Sequence, residues 1–170
     1  MKYFLSLGSN MGNKKGNLRR AVRLLKNAGL KILRASSLFQ TQPVGTARRP
    51  WFVNQVIEVE TALTPWALLV FLQSVEKKMG RTRTVVNGPR PIDLDILLAE
   101  ETILVTPDLI IPHPRMAGRN FVLVPLSEIA PHVLHPALQK SAAHLLAESR
   151  DRSAVQKIGC RSTPGRPAKA

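Results

Sequence analysis

The segment Gly88-Pro89-Arg90-Pro91-Ile92-Asp93-Leu94-Asp95 leads from a turn into an apolar run at 96–98. Because successive strand residues point to opposite faces, it predicts a strand on which Asp93 and Asp95 share one face, about 7 Å apart. Two such carboxylates repel each other in a half-buried strand unless a cation neutralises them. Mg²⁺ commonly binds one or two carboxylates together with substrate phosphates. The segment therefore predicts a magnesium and phosphate site, with Arg90 able to bind phosphate oxygens.

A lone Asp-x-Asp pair more often marks a solvated strand edge than a metal site. Two neighbouring segments reverse that preference here: the Gly-Pro-Arg turn before the pair, and Ile111-Pro112-His113-Pro114-Arg115 further along the chain. The prolines on both sides of His113 restrict the backbone and can fix the direction of its imidazole.

Length and composition indicate one globular domain. The chain has 170 residues, of which 44% are hydrophobic, and no apolar run approaches the roughly 20 residues that span a bilayer. The N-terminal residues 1–7 carry one charge and run directly into Gly8-Ser9-Asn10, which indicates a first strand and not a signal peptide. The single cysteine, Cys160, excludes an internal disulfide framework and fits a reducing compartment. We therefore expect a cytoplasmic protein without a membrane segment.

The net charge of +14 favours anionic partners, which include nucleic acids, acidic membranes and polyphosphates. Much of the excess lies in residues 151–170 and in the stretch 14–26, whose spacing suits the solvated face of a helix. Few aromatic residues are available for stacking bases. We expect no nucleic-acid groove, although a basic nucleic-acid-binding module stays open as an alternative.

Hydrophobic periodicity predicts alternating strands and helices. Strands are predicted at 2–7, 30–40 and 52–61, and residues 102–105 are predicted to form a hairpin with the Asp-x-Asp strand. Helices are predicted from about 18 to Gly29, from Thr64 to Gly80 and over 138–147, whereas 121–130 fits a strand or a helix. In the strand 52–61, Asn54 shares a face with Phe52, where an amide either bonds to backbone or reads the edge of a ligand.

Several motifs together resemble the 6-hydroxymethyl-7,8-dihydropterin pyrophosphokinases of folate biosynthesis. The resemblance covers roughly residues 1–147 and is carried by the Gly88–Asp95 segment and by Ile111-Pro112-His113-Pro114-Arg115-Met116-x-x-Arg119-x-Phe121. Leu7-Gly8-Ser9-Asn10 and Thr41-x-Pro43-Val44-Gly45 also match the family. The resemblance implies an α+β domain at 1–150, ferredoxin-like, with a mainly antiparallel sheet covered by helices. Residues 151–170 have no recognised counterpart, and we expect a basic, disordered tail.

The resemblance also implies the reaction. ATP would donate its terminal diphosphate to the hydroxymethyl group of 6-hydroxymethyl-7,8-dihydropterin, and AMP would be released. We expect a monomer that binds these two substrates and no membrane. Carried over by position, two magnesium ions would bind Asp93 and Asp95. The catalytic set would be Asp93, Asp95, Arg81, Arg90 and His113; the ATP site Gln73, Glu76, Arg83, Arg90, Ile96, His113 and Arg119; and the pterin site Thr41, Val44, Phe52, Asn54 and Phe121.

The sequence departs from the family where a loop would close over the substrates. Asn87 precedes the Gly-Pro-Arg turn at a position where some members carry tryptophan, and the connection from Arg83 to Gly88 is short. A metal-dependent nucleotidyltransferase is another alternative, since Gly8-Ser9 and Asp93-x-Asp95 superficially match its pattern. In those enzymes the two elements lie close in sequence, whereas here they are more than 80 positions apart.

Overall fold

A central antiparallel sheet with helices on both faces forms the body of the protein. The computed structural model describes residues 1–43, 50–81 and 88–159. The strands are β1 Lys2–Ser9, β2 Lys31–Ala35, β3 Phe39–Thr41, β4 Phe52–Glu60, β5 Asp93–Ala99, β6 Leu104–Val105, β7 Ile110–Ile111, β8 Leu134–His135, β9 Lys140–Ser141 and β10 Val155–Lys157. The α-helices are α1 Lys14–Asn27, α2 Pro65–Lys78, α3 Asn120–Ile129 and α4 Ala142–Glu148, and Met116–Gly118 form a 3₁₀ turn.

The strand order of the main sheet is β10-β3-β4-β1-β5, and β2 also pairs with β4. Every pair in it is antiparallel. The chain runs β1-α1-β2/β3-β4-α2-β5, so the central strand β1 lies between β4 and β5. This is the ferredoxin-like β-α-β-β-α-β arrangement, which confirms the predicted fold class.

Alternation along β1 divides the interior into two cores. Tyr3, Leu5 and Leu7 pack with the buried residues of α1 and α2 on one face of the sheet. Phe4, on the other face, packs with residues of α3 and α4. Ser6 and Gly8 continue the second face, beyond the part that α3 covers. The second face is therefore apolar at one end and, among the described residues, lines a cavity at the other.

Local signals place α2 as predicted, whereas α1 begins at Lys14, four residues before the predicted start at about 18. The Asn13 side chain accepts a hydrogen bond from the Gly16 amide (3.0 Å), and Gly29, with φ of 90°, follows the end of α1. Thr64 caps α2 through the Ala67 amide (3.3 Å) and Pro65 is its first residue.

The predicted strand 30–40 is wrong in its middle, because two separate strands, β2 and β3, occupy it. Ser36 lies between them and is buried. Its amide donates to the Val56 carbonyl (2.9 Å), and its hydroxyl accepts from the Val56 amide (3.0 Å). In a regular antiparallel pair the Val56 amide would donate to a backbone carbonyl. Because it donates to the Ser36 hydroxyl instead, the strand is interrupted at Ser36.

The predicted hairpin between β5 and residues 102–105 is also wrong. Leu104–Val105 pair with Ile110–Ile111 instead. Glu100 turns the chain with φ of 48°, and the His113 amide donates to the Leu97 carbonyl of β5 (2.9 Å). The outer edge of β5 is thus bonded to the segment that carries His113.

The structure decides one prediction that the sequence leaves open and corrects the start of the last helix. The run 121–130 is a helix, α3, with Pro125 inside it. The last helix begins at Ala142 and not at 138, since β8 and β9 form a small hairpin before it and Ser141 caps it through the His144 amide (3.2 Å).

The prediction of a disordered tail from residue 151 is wrong for its first part. Val155–Lys157 pair with Phe39–Thr41 and form the outermost strand of the sheet. Backbone ladder bonds and the packing of Ile158 on the core order this segment, neither of which its polar composition indicates. Residues 160–170, with Cys160, lie outside the described part. Within the described ranges, no helix combines the length and apolar character needed to cross a membrane.

Candidate active site

Strand register brings the predicted site residues together. Gly8 of β1 lies opposite Asn54 of β4 on one side and Asp93 of β5 on the other, and Ser6 lies opposite Asp95. Directly paired residues point to the same face. They line a cavity of about 480 Å³, within the usual range for small-molecule sites.

The two aspartates differ in their surroundings. Asp93 accepts from Arg81 (2.6 Å) and from Arg90 (3.0 Å). Asp95 has no hydrogen-bond donor among the described residues, and burial, with the negative charges of Asp93 and Glu76, raises its pKa to about 7. A carboxyl in this position favours either a proton or a cation.

A buried network lies behind the aspartates. Glu76 of α2 accepts from the Leu94 amide (2.7 Å) and forms an ion pair with Arg81. Burial raises the pKa of Glu76 despite both interactions. Burial alone would lower the pKa of Arg81, but Asp93 and Glu76 together raise it, so Arg81 stays charged. Glu76 therefore joins α2 to β5 and orients Arg81 toward Asp93.

Three predicted ATP ligands do not line the cavity, and one of them is Glu76, which lies behind the aspartates. Gln73 is exposed on α2 and does not line the cavity. The Ile96 side chain is buried in the core on the opposite face of the sheet. Val44 and Arg83, as well as Asn87, lie outside the described residues.

His113 enters the cavity as a neutral donor. Burial, with the positive charges of Arg119 and Arg115, lowers its pKa to about 4. The Arg115 amide donates to its Nδ1 atom (3.2 Å). A neutral imidazole with Nδ1 as acceptor carries its proton on Nε2, and this N–H can donate to an anionic oxygen.

We expect the His113 imidazole to stay neutral down to about pH 5.5, roughly one unit below where a free histidine titrates. Its ring resonances in a two-dimensional NMR titration should therefore be flat from about pH 8 to pH 5.5. A short histidine peptide titrated in the same buffer serves as the reference. A midpoint for His113 near pH 6.5 would show that the surrounding arginines and burial do not act on it as described.

Arginines dominate the charge of the cavity. Arg81, Arg90, Arg115 and Arg119 line it, against two aspartates. The Arg119 guanidinium lies over the Phe121 ring, 5.5 Å from its centroid. Burial, and then the charge of Arg115, lowers the pKa of Arg119. Arginines placed close together repel one another, and a bound polyanion would remove this repulsion. This wall of the cavity is therefore suited to a polyanion.

Aromatic rings and an amide line a second part of the cavity, which meets the arginines where Arg119 lies over Phe121. Asn54 is buried, and its amide nitrogen donates to the Thr41 hydroxyl (2.5 Å). A Cβ on Gly8 would lie 2.6 Å from the Asn54 Oδ1 atom, so only glycine fits beneath this amide. Phe52 and Phe121 line the same cavity.

Ten of the predicted residues therefore line one cavity: Thr41, Phe52, Asn54, Arg81, Arg90, Asp93, Asp95, His113, Arg119 and Phe121. Sequence reasoning did not assign five other lining residues to the site, although three of them lie in the quoted motifs: Ser6, Gly8, Gln42, Pro43 and Arg115. A signal existed for Ser6 and Gly8, which alternate with Leu5 and Leu7 along β1 and so had to face the other side of the sheet.

Comparisons with known proteins agree with this geometry. The model of the 7,8-dihydro-6-hydroxymethylpterin-pyrophosphokinase family matches residues 4–131. The chain is 45% identical to 2-amino-4-hydroxy-6-hydroxymethyldihydropteridine pyrophosphokinase of Bacillus subtilis, over 76% of this chain and 78% of that protein. It is 39% identical to the protein of the same name from Methylorubrum extorquens, over 77% and 84% of the two chains.

Longer proteins contain a similar region. Folic acid synthesis protein fol1 of Pneumocystis carinii is 41% identical over 82% of this chain, which spans only 19% of that protein. The crystal structure of Plasmodium falciparum HPPK-DHPS with pteroate superposes with a TM-score of 0.70 at 15% identity, and covers 86% of this chain and 44% of that one. The latter likeness establishes the fold. With a matching family model over most of its length and bacterial relatives of similar size, this chain belongs to the 7,8-dihydro-6-hydroxymethylpterin-pyrophosphokinase family.

Proposed function

We propose that this protein transfers the diphosphate of ATP to the hydroxymethyl group of 6-hydroxymethyl-7,8-dihydropterin in folate synthesis and releases AMP. One observation carries the proposal. A single cavity joins an arginine-rich wall with two same-face aspartates to a wall of aromatic rings and a buried amide. The first wall suits a triphosphate, the second suits a flat heterocycle, and their proximity suits transfer between the two.

The triphosphate would lie against the arginines. Arg90 and Arg119 offer planar forks for phosphate oxygens, and the neutral His113 offers a single N–H. Arg81, bonded to both Asp93 and Glu76, has the least freedom to move toward a ligand. We infer that it supports Asp93 and adds positive charge near the transferred group.

Asp93 and Asp95 fit the binding of magnesium. The Asp95 carboxylate has no hydrogen-bond donor among the described residues, and a cation would offset the desolvation and the repulsion from Asp93 and Glu76 that raise its pKa. Among the described residues no group of three or more His, Cys, Asp or Glu could hold a metal, so other oxygens must complete the coordination, as Mg²⁺ with a nucleotide usually requires. When bound, two magnesium ions would neutralise the phosphates and align them with the attacking hydroxyl.

The pterin would occupy the aromatic wall. Its bicyclic ring suits contact with Phe52 and Phe121, while Asn54 reads its hydrogen-bonding edge. The bond from Asn54 to Thr41 fixes the amide orientation before a ligand arrives. Buried, oriented polar groups reject ligands that lack the matching edge. We further infer a monomer that acts in the cytoplasm.

Product analysis tests the proposal. With ATP, Mg²⁺ and 6-hydroxymethyl-7,8-dihydropterin, AMP should form in proportion to pterin consumed, and no ADP should appear. Pterin omitted from the mixture is the control. ADP would indicate transfer of one phosphoryl group and would overturn the proposed reaction; release of inorganic diphosphate would indicate a nucleotidyltransferase; and the absence of turnover would favour a binding module.

A further inference from the structure

The C-terminal segment 151–158 contacts two elements that carry residues of the cavity walls, although it lies beyond the family match, which ends at residue 131. At one end Asp151 bonds to the start of α3, next to Arg119. At the other end β10 pairs with β3, which carries Thr41. We propose that Asp151 is a positioning residue for Arg119 and thereby for ATP, a role that rests on the proposed function.

The contact at α3 is a substitute for a missing helix cap. Arg119 occupies the N-cap position, but its side chain makes no capping bond. Asp151 supplies it instead: its Oδ2 accepts from the Asn120 amide (2.8 Å), and its carbonyl accepts from the Asn120 side-chain amide (2.9 Å). A carboxylate at a helix N-terminus is favourable for both the hydrogen bond and the helix dipole.

The same bond fixes the backbone of Arg119. The Asn120 amide belongs to the peptide plane that joins Arg119 to Asn120, so a partner on this nitrogen sets the ψ angle of Arg119, which is 109°. That angle sets the direction of the Cα–Cβ bond of Arg119 relative to the start of α3, and therefore the region that its side chain can reach. Arg119 then lies over Phe121 and reaches the cavity.

Asp151 is itself held in place. Its Oδ1 accepts from the Ser153 amide (2.8 Å), and its own amide donates to the Ser149 hydroxyl (3.2 Å). The Gln42 amide donates to the Ala154 carbonyl (2.9 Å). Lys157 pairs with Glu128 of α3 (2.7 Å). The segment is therefore anchored to β3 and to α3, and its position does not depend on Asp151 alone.

Electrostatics and positioning predict opposite changes in ATP affinity when Asp151 is replaced. Asp151 is an acid beside a site for a polyanion, so removing its charge should tighten ATP binding if charge is all that matters. A positioning role requires the opposite result. The two substitutions Asp151→Asn and Asp151→Ala separate the cases, because asparagine caps helices as well as aspartate does, whereas alanine cannot.

Titration calorimetry of the full chain with MgATP, and separately with the pterin, tests the inference. We expect Asp151→Ala to bind MgATP about tenfold more weakly, with pterin affinity unchanged, and Asp151→Asn to stay within about threefold of wild type. Asp108→Ala, an exposed aspartate between β6 and β7, is the matched control.

Three results would overturn the inference: tighter MgATP binding by both variants, equal loss for both ligands with a lowered melting temperature, or no change in Asp151→Ala. If wild type itself fails to bind MgATP, the proposed function fails instead, and the two failures are thus distinguishable.

Discussion

Asp95→Ala should lower kcat by at least about 10³-fold, while the chain keeps its fold. Asp95 shares a face with Asp93 and projects into the cavity without a partner among the described residues, so removing it should abolish metal binding but break no hydrogen bond there. Steady-state AMP formation at saturating Mg²⁺, with circular dichroism for the fold, measures both effects. Activity within tenfold of wild type would contradict the metal role of Asp95.

Replacing Asp95 by asparagine should also stabilise the chain in the absence of Mg²⁺. Because the folded chain raises the pKa of Asp95 to about 7, it binds this proton more tightly than the unfolded chain does. The free energy of unfolding therefore falls as pH rises from about 4 to about 7, and above that the loss is complete. Without Mg²⁺ at about pH 8, the isosteric Asp95→Asn should melt several degrees higher than wild type, whereas the exposed Asp108→Asn should not.

Gly8→Ala should weaken pterin binding by about 10²-fold and spare ATP binding, since a small displacement in a preorganised site can have that effect. The added methyl would lie 2.6 Å from the Asn54 Oδ1 atom and 3.7 Å from Phe52. The amide must move, and its bond to Thr41 must change. Calorimetry with each ligand separately checks the selectivity.

Two variants bracket this prediction. Asn54→Ala should show the same selective loss, and the double variant should lose little more, because both changes remove one contact. Gly159→Ala adds the same methyl where nothing lies within 4 Å, so it should bind both ligands as wild type does. Equal loss of ATP and pterin in Gly8→Ala would mean that the whole floor of the cavity has shifted.

Local chemistry predicts the fold where one signal dominates. The Thr64-Pro65 start and the Gly80 end of α2 are such cases, as is the alternation of β4. The split of β2 from β3 depends on one serine hydroxyl that bonds to Val56 at a distance in sequence, and no periodicity reveals it. Pairing of β10 with β3 joins segments more than 100 positions apart, and composition pointed the other way.

Some residues of the site can likewise be predicted from local sequence, whereas others depend on the tertiary arrangement. Asp93, Asp95 and Asn54 follow from strand alternation, because side chains on one strand have only two directions. Other residues, such as Gly8, reach the site through strand register, so predicting them requires the order of the strands in the sheet. Predicting the position of Asp151 requires knowing that the C-terminal segment returns to the start of α3. Motifs thus identify the residues that line the cavity more readily than the residues that position those side chains.

The central position of β1 has a consequence for how the protein forms. β1 is synthesised first, yet its partners are β4, which ends at Glu60, and β5, which ends at Ala99. Contacts so distant in sequence form slowly, because closing the long intervening loop costs chain entropy before the contacts compensate for it. During synthesis, the apolar residues of β1 therefore lack their second partner strand until the chain has been made as far as Ala99, and apolar strand surface exposed for that long favours aggregation.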